Sequence, residues 1–373
     1  TLDRHSKTCS NQVMRWENLR EDTETGQTAL FDAPTTPRIR GTGGAGLVAP
    51  SPSPIRAGEP GAPVAIEIRA RSIVNRVPGA DPMFRWTINP YRGCAHACVY
   101  CFARRTHEYL DLDSGRDFDT RILVKVNAGE LLRAQLARPS WRGEHIAMGT
   151  NTDPYQRAEG HYRLMPKIIA ALSEAANPFS ILTKGTLILR DLDLLERAAE
   201  VTDVGLAVSI GSIDARLWRT VEPGTPSPGA RLDVVKRLTD RGLACSVLMA
   251  PILPGLTDSV EQIERTIAAI AEAGATRLTP VVLHLRPGAR EWYRTWLERE
   301  HPRLIPLYRQ LYGRGSYAPA SYRNIVTEAV REVAARHGLD HPVNERGTEK
   351  PAHPAPNGRL PLDLPGPALR NRF

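Results

Sequence analysis

Six apolar runs of strand length recur between residues 84 and 285, with helical periodicity in the stretches that separate them. The runs are FRWTIN (84–89), HIAMGT (145–150), FSILTK (179–184), VGLAVSI (204–210), LACSVLMAP (243–251) and LTPVVLHL (278–285). Over 257–274, Val260, Ile263, Ile267 and Ile270 share one helical face, with Thr257, Asp258 or Ser259 available as N-cap and Gly274 at the end. Leu164, Ile168, Ile169 and Leu172 form a second stripe over 162–175, stopped by Asn177-Pro178. Leu232, Val235 and Leu238 form a third over 230–242, closing at Gly242. Such alternation predicts βα units and a parallel sheet. Six units predict an α/β fold of the partial (β/α)6 barrel type, whose chemistry sits at the C-terminal ends of the strands.

The ends of the chain read differently. Residues 34–63 contain seven prolines and six glycines, and 351–367 contain six prolines and two glycines. Neither stretch can bury enough apolar surface to offset chain entropy. The expected organisation is therefore a disordered leader over 1–63, a core domain over 64–340 and a disordered tail over 341–373. Met14 lies within the leader, and residues 1–13 read as an upstream extension. The chain of 373 residues carries a net charge of +8. Only six of its 49 basic residues are lysines, a bias that reflects composition as much as any partner. The charge permits an anionic substrate without requiring one. No apolar run has the length of a bilayer-spanning helix and the N-terminus is polar, so the expected location is the cytoplasm, with no membrane partner.

Three of the five cysteines fall within eight residues, in the segment NPYRGCAHACVYCFAR that follows the first apolar run. Cys94, Cys98 and Cys101 are spaced CxxxCxxC, and Pro90 and Gly93 let the backbone curl so that three thiolates converge from one short loop. Thiolates suit both iron–sulfur clusters and zinc. Structural zinc wants four ligands, typically as two pairs, and no second pair exists: Cys9 lies in the leader and Cys245 alone on a late strand. His96 as a fourth zinc ligand is the competing reading. Three cysteines match a 4Fe–4S cube with one iron left open to a chelating ligand.

This spacing, with Tyr100 immediately before the third cysteine and the first strand of a partial barrel before the loop, resembles the radical S-adenosylmethionine superfamily. The wider segment resembles its spore photoproduct lyase-like branch, often labelled DNA repair photolyases. The resemblance spans roughly residues 80–340. It implies that the open iron binds the amino and carboxylate groups of S-adenosylmethionine. Electron transfer from a reductant such as flavodoxin or ferredoxin then yields a 5′-deoxyadenosyl radical that abstracts a substrate hydrogen. By the same resemblance, Tyr100 positions the adenine, chiefly through its backbone, and the stretch 250–255 lines one face of the base.

Further candidates sit at the strand ends. After the second run, GTNTDPYQ stands where the superfamily often has a Gly-Gly-Glu-like segment, and Thr150, Asn151 and Asp153 are the candidate cofactor contacts, Asp153 for a cation and the others as hydrogen-bonding groups. Lys184 ends the third run and could hold a carboxylate or phosphate. The resemblance places Ser209 and Arg231 at the ribose or carboxylate of the cofactor, with Glu222 supporting Arg231 or the cysteine loop. Arginines and aromatics interleave over 286–296, but their helical phase puts Trp292 and Trp296 opposite Arg290 and Arg294, as in an ordinary amphipathic helix. The expected activity is radical hydrogen abstraction from an unidentified substrate, with a DNA lesion as one class. The alternative is an iron–sulfur electron-transfer or S-adenosylmethionine-binding scaffold without turnover. Spore photoproduct lyases return a hydrogen atom from a cysteine well downstream of the cluster, and this chain has none after Cys245. No catalytic residue is assigned.

Overall fold

In the computed structural model of the chain, residues 63–77 and 84–339 are described. The expected leader and tail, with Cys9 and Met14, lie outside these residues, Pro63 apart. The strands are β1 (Val64–Ile68), β2 (Val74–Arg76), β3 (Trp86–Ile88), β4 (Tyr91–Arg92) and β5 (Arg121–Lys125), then β6 (Ile146–Met148), β7 (Phe179–Thr183), β8 (Val204–Ser209), β9 (Cys245–Ile252) and β10 (Arg277–Val282). Each of the six apolar runs matches, to within one residue at an end for β9 and β10, one strand of a sheet ordered β10-β9-β8-β7-β6-β3-β2, in which β3 and β6 to β10 are all parallel. β2 pairs antiparallel to β3 at the edge. The sheet is open, with β10 and β2 as its two edges. A smaller sheet, β1-β5-β4, has no counterpart in the sequence reading.

Helices cover the sheet where the apolar stripes predict. Ile263, Ile267 and Ile270 of helix Val260–Glu272 are buried in one core with Ile168, Ile169, Leu172, Val235 and Leu238 of the preceding helices. Each such side chain contributes about 1.5–3 kcal/mol by leaving water. Ser259 is the N-cap, accepting from Gln262 N at 3.3 Å. Val260, expected on the same stripe, is 62% exposed at the first helical position. Helix Ala289–Glu300 buries Tyr293, Trp296 and Leu297 in a second core, as its phase predicts. No helix among the described residues is long and apolar enough to cross a membrane.

Parallel register brings the chemistry to one end of the sheet. Ile88 pairs with Met148 and Met148 with Ile181, so the residues that follow β3, β6 and β7 emerge side by side. The cysteine loop, which leaves β4, lies over this end.

Candidate active site at the strand ends

The cysteine loop is fastened to four separate parts of the fold. Cys94 N donates to Phe118 O at 2.9 Å, Val99 N to Val221 O at 3.0 Å, and Gly224 N to His96 O at 3.0 Å. The buried Gln156 amide accepts from Ala95 N at 2.9 Å and donates to Gly93 O at 3.0 Å. Arg104, also buried, reaches back to Cys98 O at 2.9 Å and is held by both oxygens of Asp119 at 2.9 and 3.0 Å. Two glycines make the loop's path possible. Gly93 has φ +81°, and a Cβ at Gly224 would stand 2.1 Å from Ala95 O. These bonds satisfy a buried loop's backbone and set its shape before any ligand arrives.

The three thiols share one wall of a cavity of about 210 Å³. Burial pushes the pKa of each thiol above its ordinary value: Cys94 also feels Asp153, and Cys98 feels Glu222. Among the described residues, no three His, Cys, Asp or Glu side chains converge as ligands of a single ion would. His96, the fourth ligand of the zinc reading, is instead buried with Nδ1 3.4 Å from Asp153 Oδ2.

The other walls come from the strand ends: Thr150, Asn151 and Asp153 after β6, Lys184 after β7, Ser209 at the end of β8, and Ala250-Pro251 within β9. Gly149 turns the chain here with φ +88°, and a Cβ would come 1.9 Å from Leu182 O. The Thr150 hydroxyl is buried and has no hydrogen-bond partner among the described residues. Asp153 is saturated by its own protein. It accepts from Tyr155 N at 2.9 Å, Thr183 Oγ1 at 2.5 Å and Lys184 N at 2.6 Å. Burial opposes its ionisation, but His96 and these donors prevail and hold its carboxyl below the usual carboxylate value. Asp153 therefore ties β7 and the cysteine loop to the β6 end.

Lys184 Nζ donates to Ser209 Oγ at 2.6 Å and lies 3.8 Å from Glu222 Oε1. Glu222 also accepts from the Tyr100 hydroxyl and from Arg231 Nη2. Its carboxyl is kept below the ordinary range, the burial penalty being outweighed by Arg231 and Lys184.

The structure thus gathers Tyr100, Thr150, Asn151, Asp153 and Ser209 with the three cysteines around one cavity. Arg231 is different. It does not line the cavity; helix Pro228–Asp240 holds it behind β8, where Nη1 donates to Ser209 O at 2.9 Å and Nη2 pairs with Glu222. A buried guanidinium needs such a partner, so Arg231 acts on the cavity through Glu222 and the β8 end. Gln156 and Arg104 were missed by the sequence reading. Both stand within segments quoted for their motifs, but nothing local marks a side chain that grips the cysteine loop.

A largely apolar cavity with three thiols and a few strand-end polar groups, at the C-terminal ends of an open parallel sheet, belongs to an α/β enzyme. The family model for the radical SAM superfamily matches residues 88–279. An uncharacterised protein of Mycobacterium tuberculosis is 50% identical over 295 residues, covering 79% of this chain and 85% of that one. A radical SAM Nalpha-GlyT isomerase of Pseudomonas phage M6 is 25% identical over 234 residues, covering 61% of this chain and 45% of its own. Spore photoproduct lyase, solved with dinucleoside spore photoproduct, has a similar fold, with a TM-score of 0.56 over 73% of this chain and 79% of that one at 16% identity. The chain belongs to the radical SAM superfamily. That family implies a 4Fe–4S cluster and S-adenosylmethionine, and the thiol wall and the unsatisfied Thr150 hydroxyl suit them.

Proposed function

We propose that Cys94, Cys98 and Cys101 hold a 4Fe–4S cluster, and that the cavity beside them seats S-adenosylmethionine for hydrogen abstraction from a substrate at its mouth. The observation that carries this reading is the set of three thiols, two buried and one half-buried, on one wall of a cavity whose other walls carry strand-end polar groups among apolar side chains. When bound, the pair supplies reductive cleavage of the cofactor's C–S bond and a carbon radical that takes a hydrogen atom from the substrate. Thr150 and Asn151 offer hydrogen bonds to the cofactor's amino acid end, and Lys184 with Ser209 suits its carboxylate. Tyr100, through its backbone, and Ala250-Pro251 flank the base. Asp153, Glu222 and Arg231 hold those groups in place. A flavodoxin or ferredoxin supplies the electron.

The rim supports a nucleic-acid lesion as substrate. His284 stacks on Tyr317 with centroids 5.5 Å apart and lies 5.5 Å from Phe102. Arg286 sits 5.6 Å over Phe102 and Arg323 5.8 Å over Tyr317. Phe102 and His284 line the cavity, and Phe102 and Tyr317 are 37% and 52% exposed. Partly exposed aromatic rings with flanking guanidinium groups suit nucleobases and their backbone. The dinucleoside bound by spore photoproduct lyase agrees with that class.

Anaerobic reconstitution tests the reading. Iron and sulfide should bind, dithionite should produce a reduced-cluster paramagnetic signal, and S-adenosylmethionine should then give 5′-deoxyadenosine. A protein that forms the cluster but never releases 5′-deoxyadenosine, with or without damaged DNA, would be the electron-transfer or scaffold protein instead.

A further inference from the structure

A second, smaller cavity adjoins the first. Asn151 and Thr152 line both. Its other walls include Lys125 from the end of β5, Arg92 from β4, Asn75 from β2, and Asn89 and Thr106. Among the described residues, no aspartate or glutamate lines it. Its volume is about 40 Å³. A single water needs about 10–15 Å³ by the same measure, so a tetrahedral oxyanion fits.

Lys125 is the informative residue. It is 4% exposed, and its ammonium donates to Asn89 O at 2.8 Å. An ammonium has three donors. Among the described residues no carboxylate pairs with it. A buried cation without an anion is costly, and such groups are normally paired. Here the nearby charge is Arg92, of the same sign. Burial and that guanidinium together push the Lys125 amine down to about 7. Around the two cations, the Asn75 amide is oriented by Ile73 O and Thr87 O at 3.1 and 3.3 Å, and the Thr106 hydroxyl by Ala103 O at 2.7 Å.

We propose that this cavity is a phosphate subsite, in which Lys125 and Arg92 hold the tetrahedral oxyanion of a phosphate ester whose reacting part occupies the larger cavity. The bound oxyanion supplies the counter-charge that Lys125 does not find among the described residues. The partition formed by Asn151 and Thr152 sets the phosphate beside the strand ends. Assigning the ester to a substrate rests on the function proposed above; the anion site itself does not.

The test uses the reconstituted full chain and inorganic phosphate, titrated by calorimetry and by ³¹P line broadening. Wild type should bind saturably. Lys125→Met, and Thr106→Asp, which places a carboxylate beside the two cations, should each weaken binding by about tenfold or more. Lys125→Met should leave Tm unchanged or higher, because removing a buried unpaired charge relieves the fold. A dinucleotide with one phosphodiester should compete with phosphate, and the free nucleoside should not. Absence of saturable phosphate binding overturns the site, as does unchanged affinity in the variants. A lower Tm in Lys125→Met makes the lysine a structural group and overturns it too. If Lys125→Met does not fold, Thr106→Asp decides. Phosphate binding without competition by the dinucleotide overturns the ester and leaves a site for free phosphate. Production of 5′-deoxyadenosine is measured separately, so neither result stands in for the other.

Discussion

Replacing Gln156 by leucine removes a side chain that grips the cysteine loop through two backbone groups. Its amide accepts from Ala95 N and donates to Gly93 O, and the residue is wholly buried. Leucine fills similar space but leaves a buried N–H and a buried C=O unsatisfied. Each costs about 1–3 kcal/mol, so the expected loss is about 2–6 kcal/mol. Against a typical total of about 5–15 kcal/mol, that is a large share. The loss should also be local, because Gly93 and Ala95 flank Cys94 and set its direction. Denaturant unfolding of the cluster-free protein gives the energy, and iron per chain after reconstitution reports the loop. Gln156→Leu should lower both. Gln156→Glu should fall short of wild type as well, since its carboxylate keeps the Ala95 contact but opposes Gly93 O. Unfolding of Gln156→Leu within about 0.5 kcal/mol of wild type, with full iron content, would refute the reasoning.

Gly149→Ala should cost several kcal/mol or prevent soluble expression, because its Cβ would meet Leu182 O at 1.9 Å in a backbone with φ +88°; a Tm near that of wild type would count against the geometry. Lys125 makes stability depend on pH. Its amine titrates near 7 in the fold against 10.5 in the unfolded chain, so the unfolded chain binds more protons between those values. Stability contributed by this group should therefore rise with pH through that window, by about 5 kcal/mol in all at 1.36 kcal/mol per pKa unit. Below 7 the penalty is constant. The stability advantage of Lys125→Met over wild type should shrink from pH 7 to 10, and a pH-independent difference would contradict the assignment. Cys245 is buried at the start of β9, whereas the cavity is lined by Leu248, Ala250 and Pro251 further along. Cys245→Ala should cost about 1 kcal/mol in unfolding assays and leave the yield of product per 5′-deoxyadenosine unchanged; 5′-deoxyadenosine formed without product would make this cysteine the hydrogen donor.

What the sequence determined on its own was local and periodic. The six parallel strands and the helices between them are legible because side-chain period and turn residues are written in consecutive positions. The three cysteines are legible for the same reason, since one short loop holds them all. Ile263, Ile267 and Ile270 sit where their stripe puts them, and only Val260, at the helix start, escapes burial. Tertiary structure decided everything that joins distant segments. Gln156 meets the cysteine loop across 61 and 63 residues, and Lys184 meets Ser209 across 25. Arg231 reads as a cofactor contact until packing turns it toward Glu222, behind β8. Nothing in the sequence singles out Lys125, yet the β1-β5-β4 sheet buries it beside Arg92, facing a cavity that no carboxylate lines among the described residues. The physical reason is common to all of these. Periodicity reports which face of an element is apolar, but burial, pairing and the cost of an unpaired charge belong to the space between elements, and that space exists only after the chain has folded.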